Sequence, residues 1–236
     1  MSLAAIKKPK HLGLRDQIYL ALREALMSGS FAPGQTITIT ALADQMKTSA
    51  MPVREALRQL VADRALEILP NRSVVVPVLS QESFNEITTL RVHTEGLLAE
   101  RAAAIISDSE IYRLRQLEER MNQLAAVREL DGYLQSNREF HFTIYRAAQS
   151  TIYLPTVESL WLRVGPLIKY ALNDREFESS AENHKLAIDA LERRDGAQAK
   201  RALEQDILAA AGEISNVFDF TTDSEALLAD ARTTRR

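Results

Sequence analysis

The sequence predicts a mainly α chain: an N-terminal winged helix-turn-helix of three helices plus a β-hairpin wing, followed by an all-α antiparallel bundle of about six helices. Three observations predict it. Ile39–Leu60, ITALADQMKTSAMPVREALRQL, reads as two short helices joined by a tight polar turn. Leu66–Val78 reads as strand, turn, strand. From Ser80 onward helical periodicity continues with no strand signal.

The elements follow in order. Leu12–Ser28 has helical period, with Leu14, Ile18, Leu22, Ala25 and Leu26 on one stripe. Gly29 stops it, and Phe31-Ala32-Pro33-Gly34 makes a turn. The next helix buries Ala41, Leu42 and Met46, and the turn is Lys47-Thr48-Ser49-Ala50. The second helix of the pair starts near Met51–Pro52. It puts Val53, Ala56, Leu57 and Leu60 on one side and Arg54 and Arg58 on the other. One helix that packs and one that presents a polar N-terminal end is the pattern of a DNA major-groove reader. Leu66–Leu69, the turn Pro70-Asn71-Arg72-Ser73 and Val74–Val78 then supply a wing.

Six helices are expected after Ser80, at about 80–106, 108–127, 130–149, 153–173, 177–194 and 196–219. Ser80 and Ser107/Asp108 stand as N-caps, and Asp195-Gly196 marks the last break. The domain expectation is 1–11 flexible, 12–78 the winged helix-turn-helix, 80–220 the helical domain and 221–236 a weakly ordered tail.

Composition narrows the function. No cysteine is present, which excludes disulfide and thiolate chemistry. No apolar run is long enough for a membrane span and Met1–Lys10 lacks a signal-peptide core, so a cytoplasmic protein with no membrane partner is expected. The net charge of −3 is unevenly spread. Residues 1–79 hold ten Lys/Arg against six Asp/Glu, and residues 80–236 hold nineteen against twenty-six. A basic N-terminal part joined to an acidic remainder suits a nucleic-acid module attached to something else.

Leu42-Ala43, Ser49 and Pro52-Val53-Arg54-Glu55-Ala56-Leu57, within the order helix, PG turn, helix pair and hairpin, resemble the GntR superfamily of bacterial transcription regulators. The helical remainder resembles the FadR C-terminal ligand-binding domain (FCD) branch. The matching pieces there are Arg91 through Glu95, Phe140-His141, and Glu182-Asn183-His184 followed by Ala190-Leu191 and Asp195. Two departures stand out. The family's Ser-Arg-Thr turn reads Ser49-Ala50-Met51 here, and its wing-tip Gly is Ser73. Ala50 removes a usual DNA-contact arginine, so the operator sequence does not transfer from relatives.

The resemblance implies a homodimeric regulator, a repressor in the leading reading, on a palindromic double-stranded DNA operator. Arg54 and Arg72 stand at matching positions as DNA contacts. Lys47, Thr48, Ser49 and Arg58 are phosphate-contact candidates, and Ser49 also suits the N-cap of the recognition helix. The bland alternative for Arg54 is an ion pair with Glu55 or Glu24. The resemblance also implies a metal set. The family's Asp and its His four residues later correspond to Asn137 and His141, its second His to His184, and its third His to Asp206. Two imidazoles, a carboxylate and an amide oxygen suit a divalent ion such as Zn, Ni, Mn or Fe. The competing reading is two histidines satisfied in the core or on the surface.

In FCD relatives an Arg at the place of Arg91 holds an effector carboxylate, which makes Arg91 and Glu95 candidates for binding a small organic acid. Their spacing also fits a plain i,i+4 ion pair. Tyr133, Tyr145, Trp161, Arg163 and Tyr170 suit either a pocket lining or the core. The alternatives for function are a metal-sensing regulator and, remotely, a metal-dependent hydrolase. Against the latter, no nucleophile motif accompanies the set, so no enzyme is expected and no catalytic residue is assigned.

Overall fold

The computed structural model describes residues 13–172 and 174–220, and of 174–179 only the helical backbone. The expected flexible ends, 1–11 and 221–236, lie outside the described residues. Nine α-helices and a three-stranded sheet stand among the described residues. None of these helices is long and apolar enough to cross a membrane.

The first unit is built on α1 (Leu14–Met27), α2 (Ile39–Gln45) and α3 (Ala50–Ala62). Val53, Ala56, Leu57 and Leu60 of α3 recur at helical spacing and are all buried against Ile18, Leu22 and Leu26 of α1. Leu14, expected on that stripe, is instead half exposed, so the buried face begins one turn later at Ile18. The turn between α2 and α3 closes through Thr48 N–H to Ala43 O (2.9 Å), with Lys47 at φ +51°. Ala50 belongs to α3 rather than to the turn, one residue earlier than the sequence suggests.

The wing strands are β2 (Glu67–Ile68) and β3 (Val74–Val75), antiparallel as expected. A third strand, β1 (Thr36–Ile37), pairs with the other edge of β3, giving the order β1-β3-β2. Two residues are too few to display alternation, which is why the sequence does not announce β1. It is located by Gly34 N–H to Val76 O (2.9 Å) and Val76 N–H to Gln35 O (3.0 Å), just after the Pro33-Gly34 turn.

The helical body holds α4 (Gln81–Ile105), α5 (Asp108–Ala126), α6 (Leu130–Ala147), α7 (Tyr153–Ile168), α8 (Asp174–Glu192) and α9 (Gly196–Val217). Ser80 accepts from Ser83 N–H, Ser107 and Glu110 form a capping box, and Asp195 accepts from Gln198 N–H. These side chains satisfy helix N-termini that would otherwise hold orphan donors. α7 ends at Ile168 and tightens into a 3₁₀ turn over Lys169–Ala171, five residues short of the expected helix end. Pro166 inside α7 cannot donate to the Leu162 carbonyl, which weakens the helix just there. α4 lies along α9, α9 along α8, and α5 along α6.

The two units meet where α1 crosses α7. The approach is close enough to exclude a side chain. A Cβ on Gly165 would fall 2.7 Å from Met27 Cα and closer still to Leu26 O. Gly29 (φ +68°) faces Gly165 O from the other side. Arg23 pairs with Glu158 (3.0 Å) and Arg138 approaches Glu24 (3.6 Å) across the same seam. Glu24 is therefore the partner of Arg138, not of Arg54.

Candidate functional site

The helix pair and the wing place three of the expected DNA-contact residues around one open groove of about 440 Å³. Arg54 and Arg58 enter it from α3 and Arg72 from the wing tip, with Leu57, Val61 and Ile68 as its floor. Arg54 is exposed and makes no hydrogen bond or ion pair among the described residues, so neither expected intramolecular partner engages it. Arg58 is tied to Glu55 at 3.1 Å on the surface, a contact worth at most about 1 kcal/mol and easily exchanged. Lys47 and Ser49 are exposed at the start of α3, and Thr48 is half-buried. Ser49 holds the N-cap position with extended backbone, yet its side chain makes no cap hydrogen bond. Met51, 67% exposed on the first turn of α3, was not among the expected contacts. Its signal in the sequence is the departure noted above, Met51 in the last place of the turn that the resemblance expects as Ser-Arg-Thr.

The second cluster lies inside the body. α6 supplies Asn137 and His141 one turn apart, α8 supplies His184 and α9 supplies Asp206. One ligand atom each from His141, His184 and Asp206 fall within 4.8 Å of one another, and all three residues are buried. His141 Nε2 stands 3.2 Å from Asp206 Oδ2, and His184 Nε2 stands 3.5 Å from Asp206 Oδ1. Ser180 donates to Asp206 Oδ1 at 3.1 Å and lies 3.3 Å from His184 Nε2. Phe140 stacks on His184 at 4.2 Å and supports it from behind. Burial by itself would raise the Asp206 pKa. Its two histidine neighbours outweigh that and hold the carboxyl well below the usual range, so it is ionised.

A proton-bonding chain fixes one imidazole. Arg91 donates from Nε to Glu95 Oε1 at 2.7 Å, and the Tyr145 hydroxyl donates to Glu95 Oε2. Burial, followed by the charge of Glu95, pushes the Tyr145 pKa well up, so its single proton stays in place. With that proton committed to Glu95, the Tyr145 oxygen must accept from His141 Nδ1 (2.9 Å). In the neutral ring the lone pair is then on Nε2, aimed at the Asp206 carboxylate. Two acceptors 3.2 Å apart repel unless a cation lies between them. That cation is either the ring's own second proton or a metal ion.

A chamber of about 30 Å³ adjoins this cluster, with Arg91, Asn137, His141, Trp161 and Asp206 on its wall. Two wall residues carry buried polar atoms without partners: Asn137 Oδ1 lacks a donor and the Trp161 indole N–H lacks an acceptor. Such atoms cost about 1–3 kcal/mol each, so they mark a place for a ligand, ion or water. The donor set therefore fits a divalent ion: three nitrogen and carboxylate donors in reach of one another and an orphan amide oxygen on the adjoining wall. Arg91 crosses the chamber with its guanidinium 4.8 Å over the Trp161 ring. Burial would lower its pKa, but Glu95 beside it more than compensates and keeps it cationic.

All four expected metal residues and Arg91 thus converge, whereas Glu95 lies behind Arg91 and Tyr145 rather than on the chamber wall. Tyr145 and Trp161 join the cluster; Tyr145 is one helical turn after His141, a spacing that the sequence displays. An open trough of about 880 Å³ runs along the start of α4, lined by Gln81, Glu82, Asn85, Glu86, Thr89 and Leu90.

Comparison with known proteins assigns a family to each of the two units. Residues 14–76 match the family described as bacterial regulatory proteins, gntR family, and residues 86–209 match the FCD domain. Among curated proteins, the HTH-type transcriptional regulator McbR of Escherichia coli K12 is 30% identical over 191 residues, 80% of this chain and 86% of that protein. The HTH-type transcriptional repressor RspR of the same strain is 27% identical over 194 residues, 81% of this chain and 85% of that protein. Among solved structures, E. coli McbR/YncC superposes with a TM-score of 0.83 at 26% identity over 89% of this chain and all of that one. A putative GntR regulator from Rhodococcus sp. RHA1 superposes at 0.70 with 20% identity over 87% of this chain and 99% of that one, a likeness of fold.

Proposed function

From the premise that the chain belongs to the gntR family of bacterial regulatory proteins with an FCD domain, and is a DNA-binding transcription regulator rather than an enzyme, we propose that a small carboxylate bound with a divalent metal in the helical body switches its grip on DNA. The reading extends to a cytoplasmic homodimer that represses by occupying a palindromic operator, one head per half-site. Leu90 and Leu97, seven residues apart on the outer face of α4 and both exposed, are apolar groups that a second subunit would cover.

One observation carries the switch: His141, His184, Asp206 and the orphan Asn137 oxygen gather beside a chamber that also holds the Arg91 guanidinium. His141, His184, Asp206 and Asn137 would hold the ion, and the ion would supply an electrophilic anchor for an acid. Beside the ion, the chain's own contribution to anion binding is Arg91, whose planar donors suit a carboxylate. Glu95 positions Arg91 and Tyr145 instead of touching the acid.

Coupling to DNA runs through α7. Trp161 forms the chamber wall, and one turn later Gly165 touches the backbone of Leu26 and Met27 in α1. A ligand that displaces Trp161 moves the surface on which α1 and the rest of the DNA-binding unit rest. Effector and operator then favour different head positions, which is the thermodynamic content of the switch.

The test is a metal titration of native protein and of the His141→Ala/His184→Ala variant, with operator binding followed with and without acid. Native protein should bind one divalent ion per chain and the variant none, with the acid response lost and the helical content kept. If native protein binds no divalent ion, the metal part of the reading fails. The small size of the chamber favours one rival, in which the ion itself is the signal. A chelator alone would then change operator affinity with no acid present.

A further inference from the structure

We propose that a second ligand site lies apart from the histidine cluster, in the cleft between α5 and α6, and that it takes a phosphate dianion, free or carried by a small metabolite. The site is built on Arg138.

Arg138 follows Asn137 on α6, so its side chain leaves the helix about 100° round from the chamber side. The residue is only 8% exposed, and its Nε is enclosed without a partner. Its guanidinium makes no hydrogen bond among the described residues. Its ionic contact, to Glu24 on α1, is long at 3.6 Å, and the Glu24 side chain is itself 66% exposed. A strong guanidinium–carboxylate bond is about 2.7–2.9 Å. A buried cation whose donors stay unbonded carries a desolvation cost that an acceptor would offset.

The acceptor has a place to sit. A cleft of about 290 Å³ opens on Arg138, near the low end of the range for small-molecule sites, about 300–1,000 Å³. α5 brings Arg113 and Arg120 to it, two helical turns apart and so on one face. α6 adds Gln135 and Ser136 as neutral polar groups. Glu139 is the one carboxylate on this wall, and Arg113 (2.9 Å) and Arg146 (3.2 Å) already hold it. Arg120 is exposed, with no hydrogen bond or ion pair among the described residues. Three guanidinium groups less one carboxylate leave the wall at +2, which a dianion neutralises. A phosphate offers separate oxygens to arginines arriving from two helices, whereas one arginine can occupy both oxygens of a carboxylate.

On its other side Arg138 meets a cleft of about 300 Å³ lined by Glu24 and Asp131, whose charges repel an anion. The ligand is thereby confined to the α5 side, where it competes with Glu24 for one guanidinium. Glu24 belongs to α1, so an occupied site releases the DNA-binding unit from an ionic contact with the body and leaves Arg23–Glu158 in place.

Isothermal titration of the full chain with inorganic phosphate, glycerol 3-phosphate and methanesulfonate tests this. Phosphate should bind with a dissociation constant below about 1 mM, and the singly charged methanesulfonate about tenfold weaker. Arg138→Gln should weaken phosphate about tenfold or more, and the surface change Arg120→Ala about three- to tenfold. Glu24→Gln removes the competitor and should strengthen phosphate about two- to fivefold, a response that a merely structural Arg138 would not give. Arg120→Ala and Glu24→Gln decide the matter even where Arg138→Gln fails to fold. Glycerol 3-phosphate binding tighter than inorganic phosphate identifies a phosphorylated metabolite as the ligand; equal or weaker binding identifies inorganic phosphate. The site is overturned if phosphate fails to bind at millimolar concentration, if Arg120→Ala and Glu24→Gln leave its affinity unchanged, or if Arg54→Ala in the DNA-reading groove abolishes it.

Discussion

Gly165→Ala adds one methyl group where α1 crosses α7. The new Cβ would lie 2.7 Å from Met27 Cα and 3.0 Å from the Leu26 carbonyl carbon, against an optimum of about 3.5–4.0 Å. The overlap is roughly 1 Å, and it is with backbone, which cannot rotate aside as a side chain can. Overpacking of this kind costs about 1–3 kcal/mol. Ala in place of Gly inside a helix returns about 1 kcal/mol. The steric effect wins, because rigid contacts put it at the upper end of its range, and the net loss is about 1–2 kcal/mol. For a chain of 236 residues that lowers the midpoint of thermal unfolding by about 3–6 °C. The damage falls on the seam between the two units, so the response of operator binding to acid should also shrink, by up to about tenfold. Calorimetry and gel-shift titration with and without acid measure the two effects. A Gly165→Ala variant as stable as the parent, with an unchanged acid response, would refute both the packing argument and the proposed route through α7.

Arg54→Ala should weaken binding to the specific operator by about 1–3 kcal/mol, while Arg58→Ala should weaken binding to all sequences alike and flatten its salt dependence. Unchanged gel-shift affinity for Arg54→Ala would contradict the recognition-helix assignment. Tyr145→Phe removes the acceptor of His141 Nδ1–H and should cost about 10–100-fold in metal affinity. Nitrogen-15 shifts of His141 should report a mixture of tautomers in that variant, and a single unchanged tautomer would argue against the chain from Glu95. Tyr19, whose hydroxyl donates to Asp63 at 2.6 Å, has its pKa pushed up to about 12 by burial and then by that hydrogen bond. A raised pKa favours the protonated form in the folded state, so this stabilisation is complete below the unfolded value of about 10 and is lost as pH rises toward 12. Urea unfolding from pH 9 to 12 should show a steeper fall for the parent than for Tyr19→Phe; parallel curves would count against it.

Much of this was legible in the sequence, for reasons specific to each element. Val53, Ala56, Leu57 and Leu60 repeat at helical spacing, so α3 and its buried face could be read directly, as could the caps at Ser80, Ser107 and Asp195. The strand β1 could not, because its two residues are ordered by long-range pairing with β3. The four metal candidates are scattered over three helices and are legible only through resemblance; nothing local in Asp206 distinguishes it from a surface acid. Arg91 and Glu95 show their i,i+4 spacing to any reader, but not that Tyr145 would take the second oxygen of Glu95. Gly165 gave no sign of its role, since only the crossing of α1 makes its missing side chain necessary.

The wing tip has a consequence for how the protein meets a duplex. Arg72 stands at φ +68°, with its N–H donated to Leu69 O (2.8 Å), and the Asn71 side chain accepts from Ser73 N–H (3.0 Å). A glycine there would let the loop sample many shapes and freeze into one only on contact. Here those two hydrogen bonds fix the turn as it folds, and an exposed, long cationic side chain stands on it. The entropy of ordering is spent before any encounter, so in the proposed DNA complex the wing would dock as a formed tooth rather than a tether that must be reeled in.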